Sequence, residues 1–259
     1  MRTIILAAGQ GTRLRPYTND KPKCMVPLAG KALLHRQMAA MAECGVTDNI
    51  AIVGGYRIDG LEPLGAKVLK NPRYNTTNMV STLFCAQEFM IPGEDLLISY
   101  GDIVYEPQVL KAVLEYDAPV CVAADTQWEK LWKLRMDDPL SDAETFIMDE
   151  QNNVLELGKK PNSYDQVHAQ YMGLIRIRGD KVAEFVAAYE SLDPDAEYDG
   201  KDFDNMYLTS FIQHLIDSGW QVEGCLVKGG WLEVDTADEL ETYDAMAKNG
   251  NLGKHYQMV

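Results

Sequence analysis

The chain has 259 residues, 46 % of them hydrophobic and 24 % charged, with a net charge of −15. That length suits one large domain, and that balance describes a folded soluble chain rather than a disordered one. The acidity excludes a surface built to coat DNA or RNA, and five scattered cysteines with no CxxC pair exclude a disulfide framework or a zinc cluster.

In chain order, TIILAA (3–8) predicts a buried strand and LLHRQMAAMAECG (33–45) a helix closed by glycine. NIAIVGG (49–55) and AKVLKN (66–71) predict two more strands. NMVSTLFCAQEFM (78–90) carries Met79, Leu83, Ala86 and Met90 on one helical stripe. DLLISYGD (95–102) predicts a strand stopping at Gly-Asp, followed by a helix at 107–116 and a strand at 119–125. Strands alternating with helices imply a mostly parallel sheet covered on both faces.

The rhythm then changes. Residues 126–178 are strand-like and interrupted, which predicts a small β-rich insertion that returns to the main sheet. Helices are expected at 180–191 and 205–217 and a strand at 220–227. GGWLEVDTADELETYDAMAK follows, with a final helix capped by Asp235 or Thr236. No linker divides the chain, so 1–259 reads as one domain, with a change of rhythm between 1–125 and 126–259. The opening apolar run is too short for a signal peptide or a membrane span, and no other stretch crosses one, so a cytoplasmic protein without a membrane partner is expected.

The charge distribution marks the site. Residues 2–31 hold Arg2, Arg13, Arg15, Lys21, Lys23 and Lys31 against the single acid Asp20, a basic island in an acidic chain. Within it, LAAGQGTRLRP follows the first strand. Gly9 and Gly11 let backbone N–H groups face an anion, and Arg13 adds a planar fork for phosphate oxygens. The spacing matches neither GxGxxG nor the GxxxxGK[ST] phosphate loop. A plain strand-to-helix turn is the competing explanation. Lys23 sits in KPKCMVP, where Pro22 and Pro27 stiffen the segment.

LAAGQGTRLRPYTNDKPKCMVPLAGKALL closely resembles the signature of the nucleotidyltransferase superfamily, and the resemblance runs on through Gly101-Asp102, Lys159-Lys160-Pro161 and WLEVD. It implies a Rossmann-like three-layer α/β/α sandwich with a mixed sheet, with a nucleotide-binding half (1–125) and an acceptor-binding half (126–259). It places a nucleotide on Leu6, Ala7, Ala8, Gly9, Gly11, Thr12, Arg13 and Gly101, and makes Lys23 and Arg13 the catalytic cations. It implies a catalytic Mg²⁺ on Asp102 and a second late acid: Asp235 first, Glu233 as runner-up and otherwise an acceptor contact. The chemistry agrees, because in-line attack on an α-phosphorus needs cations around crowded oxygens.

The stretches 71–86, 98–107, 137–145 and 157–177 are similar to the phosphocholine and aminoalkylphosphonate cytidylyltransferase branch, which implies CTP and a small phosphorylated or phosphonate acceptor. Asn78 and Ser81 are candidates to read the base, although Thr77 or Asn78 serves equally as a helix cap. Lys160, or its neighbour Lys159, is the candidate for the acceptor phosphate. Tyr171, Tyr198 and Trp231, together with the acidic run 193–205, are candidates for a cationic acceptor end. A sugar-1-phosphate nucleotidyltransferase and a non-catalytic nucleotide sensor are the rival readings, and whether the chain pairs as a homodimer stays open.

Overall fold

The computed structural model describes residues 1–258. Seven strands form the central sheet in the spatial order Val222–Val227, Val120–Asp125, Gln170–Ile177, Leu96–Tyr100, Arg2–Ala7, Ile50–Gly54, Lys67–Lys70. Gln170–Ile177 runs antiparallel to both neighbours, and every other pairing in this sheet is parallel. The mixed, mostly parallel sheet is therefore as expected.

The apolar run of the first strand explains why the sheet is covered twice. Ile5 and Ala7 enter one core, with Leu33 and Leu34 of the helix Leu33–Glu43, Val109 and Leu110 of Pro107–Glu115, and Leu240 and Tyr243 of Ala237–Lys248. Ile4 and Leu6 enter the other, with Val80 and Leu83 of Met79–Phe84, Phe185 of Val182–Glu190, and Phe211 of Leu208–Asp217. Successive side chains leave a strand on opposite faces, so a continuous apolar run needs a helical layer on each side.

Two expectations need correction. The helix over 78–90 ends at Phe84, and a short 3₁₀ turn, Gln87–Phe89, replaces its second half. Its side chains compete with its own ladder: the Thr82 hydroxyl donates to the Asn78 carbonyl and the Cys85 thiol to that of Ser81. The 126–178 region contains a helix, Trp128–Arg135, that its strand-like look concealed. Trp128, Leu131 and Trp132 form its buried stripe. A small antiparallel pair, Phe146–Met148 with Val154–Leu157, supplies the expected β-rich element before the chain re-enters the sheet.

Candidate active site

Three distant parts of the sequence meet at the carboxyl end of the first strand. Past Gly101-Asp102, residues Ile103–Tyr105 pair antiparallel with Trp231–Glu233, setting Glu233 opposite Ile103. The Val234 amide then donates to the Asp102 carbonyl at 3.0 Å. This short ladder brings the late acids beside Asp102. Oxygens of Asp102, Glu233 and Asp235 all lie within 4.8 Å of one another.

Lys23 reaches the same point from the stiffened loop. Pro22 precedes the 3₁₀ turn Lys23–Met25, and Gly11 packs behind it at φ +58°. A Cβ at Gly11 would stand 3.1 Å from the Lys23 Cβ, so this close approach and the left-handed backbone both require glycine. The Lys23 ammonium donates to Asp102 Oδ2 at 2.6 Å and also to Asp235 Oδ1. Burial works against its charge, but Asp102 and Asp235 outweigh burial and hold the lysine well above its ordinary pKa. Asp235 is depressed in turn: burial opposes its charge, while Lys23, Arg13 and Arg135 favour it.

The final helix fixes Asp235 from the other side. Thr236, rather than Asp235, is its N-cap, in a reciprocal capping box with Glu239. The Glu239 carboxylate also accepts from the Asp235 amide at 2.7 Å. Asp235 is thereby freed from capping and turned toward the site. Arg135, absent from the sequence reading, binds this acid group together. Its side chain is 2 % exposed, 2.8 Å from Glu233 Oε2 and 2.9 Å from Glu239 Oε1. Its guanidinium lies over the Trp132 ring at 4.6 Å. Burial, with Asp235 and Asp102 adding to it, raises the Glu233 pKa against the pull of Arg135.

Two clefts flank this charged centre. The first, about 600 Å³, is lined by Leu6, Ala7, Ala8, Gly9, Lys23, Asn78, Gly101 and Asp102, all named from the sequence, and also by Tyr74, Thr77, Met79, Thr82, Cys24 and Tyr100. Gly11 and Thr12 back the loop rather than line this cleft. Asn78 accepts from the Met79 amide and so caps its helix as well as facing the cleft. Ser81 is turned away, its hydroxyl donating to the Asp204 carbonyl at 3.0 Å.

The second cleft, about 710 Å³, is lined by Tyr100, Trp132, Asp142, Glu144, Tyr171 and Tyr207, with Glu233, Asp235 and Arg13 at its junction with the centre. Arg13 is 64 % exposed and donates to Asp235 Oδ2 at 2.9 Å. Tyr171 lines it. Trp231 does not: it is buried, and its indole donates to Asp125 Oδ2 at 3.1 Å. Tyr198 and the acidic run also lie outside the lining, with the Tyr198 hydroxyl donating to the Asp193 carbonyl. Lys160 and Lys159 do not line the cleft either. The Lys160 ammonium donates to the carbonyls of Leu140 and Ser141, and Lys159 pairs with Glu156. A lone lysine in a sequence shows its charge but not the carbonyls that claim it.

The donor set fits a hard divalent cation, which prefers carboxylate oxygens. Asp102 Oδ1 is buried with no hydrogen-bond partner among the described residues, an arrangement that costs free energy unless something fills it.

Residues 3–152 match the family model of the MobA-like NTP transferase domain. The chain belongs to that family. It is 41 % identical over 250 residues to the CTP:phosphoglutamine cytidylyltransferase of Campylobacter jejuni, covering 93 % of this chain and 98 % of that one. It is 40 % identical over 91 residues to the choline-phosphate cytidylyltransferase of Streptococcus pneumoniae, covering 34 % of this chain and 40 % of the other. A crystal structure of a glucose-1-phosphate thymidylyltransferase candidate from Bacillus anthracis superposes with a TM-score of 0.73 at 17 % identity over 96 % of both chains, which establishes the shared fold. This NTP transferase is thus an enzyme of the nucleotidyltransferase superfamily, and none of its described helices is long and apolar enough to cross a membrane.

Proposed function

We propose that this NTP transferase is a Mg²⁺-dependent cytidylyltransferase that transfers CMP from CTP to a small phosphorylated or phosphonate acceptor and releases pyrophosphate. The observation that carries this reading is the position of Lys23, Asp102 and Asp235 where the two clefts meet. The likeness to the cytidylyltransferases of Campylobacter jejuni and Streptococcus pneumoniae favours CTP, and their names favour phosphoglutamine- or phosphocholine-like acceptors.

In this mechanism the nucleoside occupies the first cleft, against Tyr74, Thr77, Asn78 and Met79. An acceptor oxygen from the second cleft attacks the α-phosphorus. The new P–O bond forms as the α–β anhydride bond breaks, and pyrophosphate takes the bond's electron pair. The attacking oxygen is anionic at neutral pH, so no side chain needs to remove a proton. Lys23, held protonated by its two carboxylates, presents fixed positive charge to oxygens that gain charge in the transition state. Arg13 offers its fork from the rim. Asp102 and Asp235, with Glu233 adjacent, would hold Mg²⁺, which when bound neutralises phosphate oxygens and the departing pyrophosphate.

The test is pyrophosphate release with CTP, UTP, dTTP and GTP against a panel of acceptors. The reading expects CTP with an aminoalkyl phosphate, an aminoalkylphosphonate, phosphocholine or a phosphorylated amino acid to be turned over at least tenfold faster than any other combination. Turnover confined to a sugar 1-phosphate would overturn it.

A further inference from the structure

The second cleft holds two acids that the charged centre does not use. Glu233 and Asp235 are bound to Arg135, Lys23 and Arg13, but the Glu144 carboxylate has no ion pair or hydrogen bond among the described residues. The charged neighbour that acts on it from the cleft wall is Asp142, another acid. Among the described residues Arg13 is the one cation in the lining, and Asp235 already binds it. The remaining wall is aromatic: Tyr100, Trp132, Tyr171 and, at the mouth, Tyr207. The Tyr171 hydroxyl is itself buried, in a residue only 8 % exposed, and has no hydrogen-bond partner within 3.5 Å among the described residues.

The backbone that carries the acids is tied down. The Lys160 ammonium clamps the carbonyls of Leu140 and Ser141, one residue before Asp142. The Thr145 amide donates to the Lys159 carbonyl at 2.7 Å, and the Lys159 amide returns a bond to the Thr145 hydroxyl at 3.1 Å. The Glu144 amide donates to Gln170 Oε1. The lysine pair thus buttresses the acidic wall of the cleft.

We propose that Glu144, supported by Asp142 at the cleft mouth, pairs with a primary ammonium on the acceptor, so that this cleft selects aminoalkyl phosphates, aminoalkylphosphonates or phosphorylated amino acids over neutral and quaternary analogues. The inference rests on the nucleotidyl-transfer reading, which puts the acceptor in this cleft. A partly desolvated carboxylate gains most from N–H donors that are themselves charged. A primary ammonium brings three such donors. A quaternary ammonium brings none and can only lie against the aromatic rings. Burial, with Asp142 adding to it, pushes Glu144 up to about 7 when no cation is present, which fits an acid built to be paired.

Calorimetric binding of 2-aminoethyl phosphate, ethyl phosphate and phosphocholine to the whole chain tests this directly. The expected result is binding of the primary amine at least tenfold tighter than either analogue. Glu144→Gln collapses that preference to within about threefold, and Asp142→Asn reduces it part-way, with melting temperatures recorded to show that both variants fold. Equal affinities in the wild type, tighter binding of phosphocholine, or a preference unchanged in folded Glu144→Gln would overturn the inference. Pyrophosphate release from CTP is measured in parallel. A binding preference without CTP turnover sinks the transfer reading alone, and CTP turnover with no ammonium preference sinks this inference alone.

Discussion

The Lys23 ammonium lies 2.6 Å from Asp102 Oδ2 and bridges to Asp235, so that one cation from the basic opening loop closes a pair of acids from distant parts of the chain. The lysine occupies a position between carboxylates where positive charge is needed whether or not phosphate is near. Its removal therefore has two separable effects.

Lys23→Met is expected to lower kcat about 10²–10³-fold, the usual consequence of losing one fixed charge donor to the transition state. It also leaves Asp102 and Asp235 without their shared cation. Millimolar Mg²⁺ should then raise the melting temperature of Lys23→Met more than that of the wild type. Equal metal-dependent shifts would contradict the idea that the lysine and a metal answer the same two carboxylates.

Arg135 is a positioning residue, since it contacts Glu233 and Glu239 and lies 3.8 Å from Asp235. Arg135→Ala strands buried acids and is expected to cost about 3–5 kcal/mol in urea unfolding. Arg135→Lys keeps the charge but lacks the fork, so it should recover only part of that stability. A role in positioning further predicts that folded Arg135→Lys loses kcat with little change in the KM for CTP. A loss of similar size in KM alone would place its influence elsewhere.

Gly173 stands in the bulge between Tyr171 and Ile175 at φ +75°, and a Cβ there would meet the Tyr100 ring at 2.6 Å. Tyr100 lines both clefts. Gly173→Ala is therefore expected to destabilise by about 1–3 kcal/mol and to raise KM for both substrates together. An effect on one substrate only would mean that Tyr100 does not couple the two clefts.

Glu144 gives a pH signature of stability. Its carboxyl titrates near 4.5 when unfolded and is raised to about 7 in the fold, by burial first and Asp142 second. Gln170, Tyr171 and Tyr100 face it across the wall, with Arg13, Glu233 and Asp235 farther along the cleft. Below about pH 4.5 both states carry the proton and no penalty exists. As pH rises from there to 7 the unfolded chain ionises first and stability falls, reaching a constant deficit above 7, on the order of 3 kcal/mol at most. Glu144→Gln should match the wild type near pH 4 and exceed it at pH 8. Parallel stability curves across that range would refute the assignment.

The parts of the site carried by local sequence were legible. The strand–glycine loop–lysine order, Gly-Asp after a strand and WLEVD each announce themselves over a few residues, and their charges need only the sheet to bring them together. Arg135, Asp142 and Glu144 were not legible, because their meaning depends on contacts closed by the fold. Arg135 meets Glu239 across 104 positions, and the cleft that gives Glu144 its role has walls from eight separate segments. The surroundings of Lys160 were hidden for the same reason, since its carbonyl partners lie 19 and 20 residues away. Helix 78–90 was overextended because its apolar stripe continues past the point where Thr82 and Cys85 turn their polar atoms on the backbone.

The central claim is that two phosphorus groups are joined across Lys23, Asp102 and Asp235. The most direct measurement is ³¹P NMR of the full chain incubated with CTP, Mg²⁺ and 2-aminoethyl phosphate, beside matched reactions with 2-aminoethylphosphonate and phosphoserine. A pair of mutually coupled product resonances is expected with at least one acceptor, growing in step with pyrophosphate and about 10²–10³-fold more slowly with Lys23→Met. CTP that stays intact with every acceptor, or that is hydrolysed to CMP with no coupled product, would contradict it.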